Sequence, residues 1–386
     1  MSNNKAKVAL FPVLFGFFIM GFCDLVGVSV SYAKESFNWT DTQSNFLPAM
    51  VFFWFLILSI PSAIAMDKIG RKNTVLISMV FTFVGMLLPF IHFNEIICIA
   101  TFGLLGIGNT ILQVSLNPLL TNVIKGDKLS SSLTLGQLIK AISSFLGPII
   151  AGFCSVKLGS WTAMFPIYAG VTLLSTIWLL FTPIHEESNV EKRSSFSEIL
   201  SLLRDKKILL LFFGILCIVG LDVGMNTVTP KLLIERVGLS TEDAGYGSSW
   251  YFAARTLGTF FGAILLTKLS NERYFRINII IALLGIAGLF IADTQFFIIA
   301  LVCIVAFASS SIFAVIFSMA IESKPDKANE ISGLMITGVS GGAIFPLLMG
   351  ISTDLVGNQN GSVMIVLATC LYLLFCAYGI KSVNKV

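Results

Sequence analysis

Stretches of about 20 apolar residues, each long enough to span a bilayer as a helix, recur from Val8 almost to the C-terminus, joined by short polar links. Nothing else constrains this chain as strongly. Cutting at charge and turn clusters gives twelve runs, approximately 8–33, 44–66, 74–92, 96–123, 131–155, 160–182, 207–232, 244–268, 276–293, 295–322, 330–354 and 362–380. Hydrocarbon offers the backbone no hydrogen-bond partner, so such runs must be helices or closed barrels, and runs of this length read as helices. Charged residues are 12% of the 386 and hydrophobic ones 56%, whereas a soluble domain carries about 25% charge. The expected class is therefore an all-α membrane protein with twelve transmembrane helices.

One link is long and polar: residues 183–206 carry Glu186, Glu187, Glu191, Lys192, Arg193, Arg204, Asp205 and Lys206. It divides the chain into an N-terminal six-helix bundle (1–182), a cytoplasmic linker (183–206) and a C-terminal six-helix bundle (207–386). Orientation follows the positive charges. With the N-terminus inside, the inner segments hold most of the Lys and Arg, while the outer ones hold only Lys34, Lys157, Lys231 and Arg236. Both termini are thus expected in the cytoplasm. The halves also repeat at an offset near 200 residues. Thr40-Asp-Thr-Gln43 answers to Ser240-Thr-Glu-Asp243, each a helix N-cap signature, Lys125-Gly-Asp-Lys128 to Lys324-Pro-Asp-Lys327, and Gly147-Pro148 to Phe345-Pro346. Repeats of six spans are the trace of two pseudo-symmetric bundles that move about a midplane site.

Composition removes several function classes. The net charge of +4 is small and spread over loops, so no nucleic-acid partner is expected. The seven cysteines lie in apolar runs without a CxxC pair, and His92 and His185 are the only histidines, which leaves no metal site and no disulfide framework. The first apolar run is longer than a signal-peptide core and lacks a small-residue cleavage site, so no cleaved leader is expected. A phosphate loop of the Gly-x-x-x-x-Gly-Lys-Ser type is absent, and so is any nucleophile motif. The chain reads as a non-enzyme without catalytic residues or cofactors.

What remains is a small set of polar side chains inside the spans. Asp24, Lys140, Asp222 and Arg255 are the ionisable residues read as lying well within them. A charge at the centre of a membrane helix costs about 2.5–3.5 kcal/mol on insertion scales, so such groups pair or line a wet cavity. Depth and half suggest Asp24 with Lys140 and Asp222 with Arg255. Asn109, Gln113 and Asn117 recur every four residues and form one stripe on span 4. Gln137 with Lys140 share a face of span 5, and Asp222 with Asn226 share a face of span 7. Amides present paired donors and acceptors suited to hydroxyl-rich solutes, although they also bond helix to helix. Trp54, Trp250 and Tyr251 offer rings on which a solute could stack.

Two stretches carry a family resemblance. Asp67-Lys-Ile-Gly70-Arg71-Lys72, after span 2, resembles the loop signature of the major facilitator superfamily, with Ala63 where a glycine is usual. The resemblance implies gating roles for Asp67 and Arg71 on the cytoplasmic side. Spans 4 and 5 are similar to the fucose–proton symporter family of sugar permeases in their glycines, Leu112, Asn117-Pro118, Leu133, Leu135 and Gln137. They depart from it at Gln113, where the family has a glutamate, and at Thr134 and Lys140, where it has asparagines. The family's span-1 aspartate falls about one turn after Asp24, on the same face. Ala254-Arg255-Thr-Leu-Gly258 resembles a Gly-Arg-x-x-Gly of related permeases.

The expected function is secondary active import of a sugar or sugar derivative by proton symport with alternating access. Asp24 and Asp222 are the expected proton-coupling residues. Asn109, Gln113, Asn117, Gln137, Lys140, Asn226 and Arg255 are the expected substrate-binding set. The alternative is an acidic sugar or other organic anion held by Lys140 and Arg255; export of amphiphiles and a membrane enzyme or receptor rank below both. The expected partners are a small-molecule sugar or sugar acid, a proton and the lipid bilayer, with the protein a monomer in the inner membrane of a bacterial cell.

Overall fold

The computed structural model describes residues 3–123, 128–184, 196–266, 268–324 and 327–379. Residues 185–195 of the 183–206 linker, the Lys125 link, Lys381 and Lys385 lie outside the described residues, as does the side chain of Asp67. Among the described residues the chain is helical, with no strand. In chain order the helices are α1 (Asn3–Met20), α2 (Val26–Phe37), α3 (Asp41–Ser44), α4 (Phe46–Ile69), α5 (Arg71–Ile91) and α6 (Glu95–Val123). They continue with α7 (Lys128–Leu158), α8 (Met164–Phe181), α9 (Phe196–Ser201), α10 (Lys206–Val237), α11 (Thr241–Leu266) and α12 (Asn271–Gly288). The last are α13 (Gln295–Ser309), α14 (Ile312–Ser323), α15 (Ala328–Thr337), α16 (Gly341–Val356) and α17 (Asn360–Gly379). A 3-10 turn, Gly21–Leu25, joins α1 to α2, and another, Gly338–Ser340, joins α15 to α16.

Among the described residues ten stretches are long and apolar enough to cross a membrane, and each corresponds to one of the runs read from the sequence. The runs at 244–268 and 276–293 are not among them. The reason is composition: α11 carries Glu242, Asp243 and Arg255, and α12 has 18 residues and opens Asn-Glu-Arg-Tyr-Phe-Arg.

Local chemistry sets the helix ends. Thr40 makes a full capping box: its hydroxyl accepts from the Gln43 backbone N–H, and the Gln43 Oε1 accepts from the Thr40 backbone N–H. Ser240 repeats the cap in the second half, its hydroxyl accepting from the Asp243 amide. Asp205 caps α10 through the N–H groups of Lys207 and Ile208 and pairs with Lys324 at 2.8 Å. That hydrogen bond to Lys324, helped by the two backbone donors, holds the Asp205 carboxyl below its usual pKa. Gly70, in the loop signature, has φ 88°, where a side chain would be strained, and is the single residue between α4 and α5.

The helices group into two compact units. One comprises Met1–Ser29 with Met50–Arg193, the other Val30–Ala49 with Ser194–Val386. In the first, α5 packs along α6 and α8, and α1 against α6 and α7. Glycines permit close approach: a Cβ on Gly106 would lie 2.3 Å from the Val51 carbonyl oxygen. In the second, α10 is the hub, touching α11, α13, α14, α16 and α17. A Cβ on Gly341 would lie 2.0 Å from the Leu216 carbonyl oxygen. The segment Val30–Ala49 contributes α3, which packs on α16.

Candidate functional site

In the first unit the polar side chains gather where span 1 breaks. Regular α-helix stops at Met20, and the 3-10 turn that follows changes which carbonyls are used. The Met20 oxygen accepts from Asn109 Nδ2 at 2.8 Å, and the Cys23 thiol also points to it. α7 crosses at the same level, because a Cβ on Gly21 would lie 2.7 Å from the Lys140 carbonyl oxygen. Asp24, on the turn itself, accepts from Ser144 Oγ at 2.6 Å. Among the described residues Asp24 and Lys140 form no ion pair, so the pairing expected from depth is not the arrangement found. The Lys140 side chain is half-buried, and its ammonium has no hydrogen-bond or ion-pair partner among the described residues.

The amide stripe of span 4 is only partly a binding surface. Asn109 is 1% exposed; its Nδ2 serves Met20 and its Oδ1 accepts from Gln113 Nε2 at 2.7 Å. Asn109 therefore ties span 4 to the break in span 1 and orients Gln113, which is half-buried and keeps its own oxygen free of Asn109. Asn117 and Gln137 are exposed. Trp54 is half-buried, with its indole nitrogen enclosed and without a hydrogen-bond partner among the described residues.

In the second unit the paired charges expected on spans 7 and 8 do meet. Arg255 Nη2 lies 2.9 Å from Asp222 Oδ2, and the Tyr251 hydroxyl donates to Asp222 Oδ1 at 2.5 Å. Tyr251 and Arg255 are four apart on α11, so one helix face delivers both donors to one carboxylate. Tyr251 is fully buried and positions Asp222, which removes it from the rings free to stack, whereas Trp250 beside it is 55% exposed. Asn226, one turn beyond Asp222, is buried, and its backbone oxygen accepts from Ser248.

In the loop signature, Arg71 Nη1 donates to the Pro118 carbonyl oxygen at 3.1 Å, and Lys72 Nζ donates to the carbonyl oxygens of Leu180 and Thr182. The basic residues thus bind carbonyls near the ends of α6 and α8, where helix dipoles favour cations.

Sequence reasoning missed one charged cluster. Lys231, read as an outer-segment charge, lies within α10 and is 4% exposed. It pairs with Asp41 Oδ1 at 2.7 Å, and Lys34 pairs with Asp41 Oδ2 at 2.6 Å. The available signal was the Leu232-Leu-Ile run after Pro230-Lys231, which lets α10 continue through the proline to Val237.

Known proteins match this chain end to end. The "Glucose/galactose transporter" of Brucella abortus biovar 1 is 22% identical over 398 residues, covering 99% of this chain and 96% of that protein. The "Putative glucose/galactose transporter" of Helicobacter pylori is 24% identical over 399 residues, covering 98% of each. Among solved structures, the Escherichia coli fucose:proton symporter FucP superposes with a TM-score of 0.69 at 17% identity, covering 97% of this chain and 98% of that one; the likeness is one of fold. The sequence model of the Major Facilitator Superfamily matches residues 12–379. The chain belongs to the major facilitator superfamily, and is thus a multi-pass membrane transporter of a small molecule and not an enzyme.

Proposed function

We propose that this protein imports a neutral hexose such as glucose or galactose by proton symport. The reading takes the twelve runs as twelve spans in two six-span bundles, residues 1–182 and 207–386 joined by 183–206. Both termini are cytoplasmic, and the protein is a monomer in a bacterial inner membrane working by alternating access. The observation that carries it is a pair of carboxylates within membrane-length spans, Asp24 held by Ser144 and Asp222 by Arg255 and Tyr251. The names of the full-length relatives direct the choice of solute.

Chemistry assigns the two carboxylates different work. The Ser144 hydroxyl both donates and accepts, so its contact with Asp24 survives protonation of the carboxylate. Asp24 is the better proton carrier for that reason. Protonating Asp222 instead breaks its ion pair with Arg255, so that pair acts as a charge-neutral element that a hydroxyl-rich solute reorganises. Gln113, Asn117, Gln137, Lys140, Asn226 and Arg255 are the proposed solute contacts, and Asn109 supports them from behind. Asp67 and Arg71 are proposed to gate the cytoplasmic side.

Uptake into proteoliposomes with an imposed proton gradient tests this. Glucose or galactose accumulates against its gradient in the native protein; Asp24→Asn abolishes accumulation and leaves solute exchange. Equal accumulation by native and Asp24→Asn protein overturns the assignment. A second reading, uptake of an acidic sugar, is favoured by the unpartnered Lys140 ammonium. In that case a hexuronate outcompetes galactose, and Lys140→Asn removes the preference.

A further inference from the structure

In the second unit α13 packs along both α11 and α12, while α11 and α12 hardly touch each other. Glycines draw each of the two onto α13. A Cβ on Gly258 of α11 would run into the Phe307 carbonyl oxygen, and one on Gly285 of α12 would lie 2.7 Å from Val305 Cγ2. The result is a crevice of about 340 Å³ whose floor is α13, at Cys303, Ile304 and Phe307, and whose walls are Ala254 and Leu257 of α11 and Ile281 of α12. It opens outward, since Leu257, Ile281, Ile304 and Phe307 are all exposed. The one polar group in its lining, the Cys303 thiol, already donates to the Trp250 carbonyl oxygen at 3.7 Å. Water gains nothing in such a place, and an empty crevice forfeits the contacts its lining would make.

Exposed apolar side chains continue from the crevice along both walls in one direction. On α11, Leu257, Phe261 and Leu265 recur every four residues and lead to Lys268; on α12, Ile281 and Ile277 lead to Arg273. Lys268 follows the end of α11 and Arg273 lies in the first turn of α12, so the two cations flank one connection. Both are exposed, and neither has an ion-pair partner among the described residues. The acid next to them in the sequence, Glu272, is half-buried. From Arg273 to Ile281 is a little over two turns of α12, about 12 Å along its axis. One leaflet of hydrocarbon is about 15 Å deep, half of the bilayer core. A hydrocarbon chain held by its anionic end at Lys268 and Arg273 therefore reaches the crevice with its distal part.

We propose that the crevice between α11, α12 and α13 holds one acyl chain of an anionic phospholipid whose headgroup is bound by Lys268 and Arg273. The site rests on the reading of α11 and α12 as membrane spans and is independent of the solute carried. The full chain is reconstituted in phosphatidylcholine vesicles containing a trace of phosphatidylglycerol with a diazirine on the distal half of one acyl chain, or of phosphatidylcholine with the same group. After illumination and digestion, the phosphatidylglycerol probe labels the peptide holding residues 303–307 more than the phosphatidylcholine probe does. It also labels that peptide more than α5, whose Ile77, Val80 and Val84 are likewise exposed. Lys268→Gln/Arg273→Gln lowers the labelling at least about fivefold, as loss of two cations beside an anionic headgroup implies. Lys268→Arg/Arg273→Lys keeps it, and Ile304→Trp, which fills the floor of the crevice, displaces the label from this peptide. Both charged positions are exposed, so these exchanges leave the packing intact. Equal labelling by the two lipids, or labelling of α13 no greater than that of α5, overturns the site and leaves ordinary bilayer contact. So does a yield in the glutamine variant within about twofold of native, below what one lost cation would give. Galactose uptake by the same vesicles is read separately, and its absence counts against the transport reading and not against the lipid site.

Discussion

Neutralising one member of the Asp222–Arg255 pair has an effect whose size the geometry sets. The nitrogen and oxygen are 2.9 Å apart, and the side chains are 31% and 22% exposed. Charge centres about 4 Å apart at an effective dielectric near 20 attract by about 4 kcal/mol. Exposed pairs are worth about 0–1 kcal/mol, and breaking a fully buried one costs about 3–5. A pair with roughly a quarter of its surface wet falls between, so Asp222→Asn or Arg255→Gln should each cost about 2 kcal/mol. Asp222→Asn keeps an acceptor for the Tyr251 hydroxyl, so the loss is ionic and not a lost hydrogen bond. The double variant should cost little more than either single one, giving a coupling energy of about 1.5–2 kcal/mol. In detergent, a unit of this size loses about 2–4 °C of thermal midpoint per kcal/mol. Each single variant should therefore fall by about 4–8 °C and the double by nearly the same amount. Strictly additive shifts would refute the argument, because they would mean that the two charges do not stabilise one another in the folded protein.

Other outcomes follow from single contacts. Gly341→Ala places a methyl 2.0 Å from the Leu216 carbonyl oxygen and should cost about 1–3 kcal/mol through forced separation of α16 from α10, read as a lower thermal midpoint. Tyr251→Phe should reduce transport more than stability, since it frees Asp222 Oδ1 while leaving the ring volume in place; comparing uptake with the thermal midpoint checks it. The Asp205 carboxyl is held below its usual pKa by Lys324 and by the α10 amides. Its contribution is therefore present above the unfolded value of 3.8 and disappears as pH falls through the lowered folded value. The thermal midpoint of the native protein should drop more steeply, as pH falls through 3.8 and below, than that of Asp205→Asn, which keeps the cap and loses the ion pair with Lys324.

How far the sequence could be read depended on whether a feature is local. The apolar runs and the N-caps at Thr40 and Ser240 were legible, because each follows from periodicity or a short pattern, and the Asp222–Arg255 pair was legible from shared depth and half. The Asn109–Gln113 stripe was legible as a face, but not its use, because the Met20 carbonyl becomes available only where span 1 breaks into a 3-10 turn. Asp24 and Lys140 share a half and a depth, yet depth does not give azimuth, and Asp24 turns to Ser144 instead. The burial and pairing of Lys231 were not legible, because they depend on Asp41, 190 residues away. No local pattern announces that Val30–Ala49 packs with the later helices.

The most direct measurement of the account is galactose and glucose accumulation in proteoliposomes carrying the purified protein, with and without an inward proton gradient. The account predicts uphill accumulation that requires the gradient and disappears in Asp24→Asn while counterflow persists. Accumulation indifferent to the gradient, or no movement of either sugar by folded protein, would contradict it.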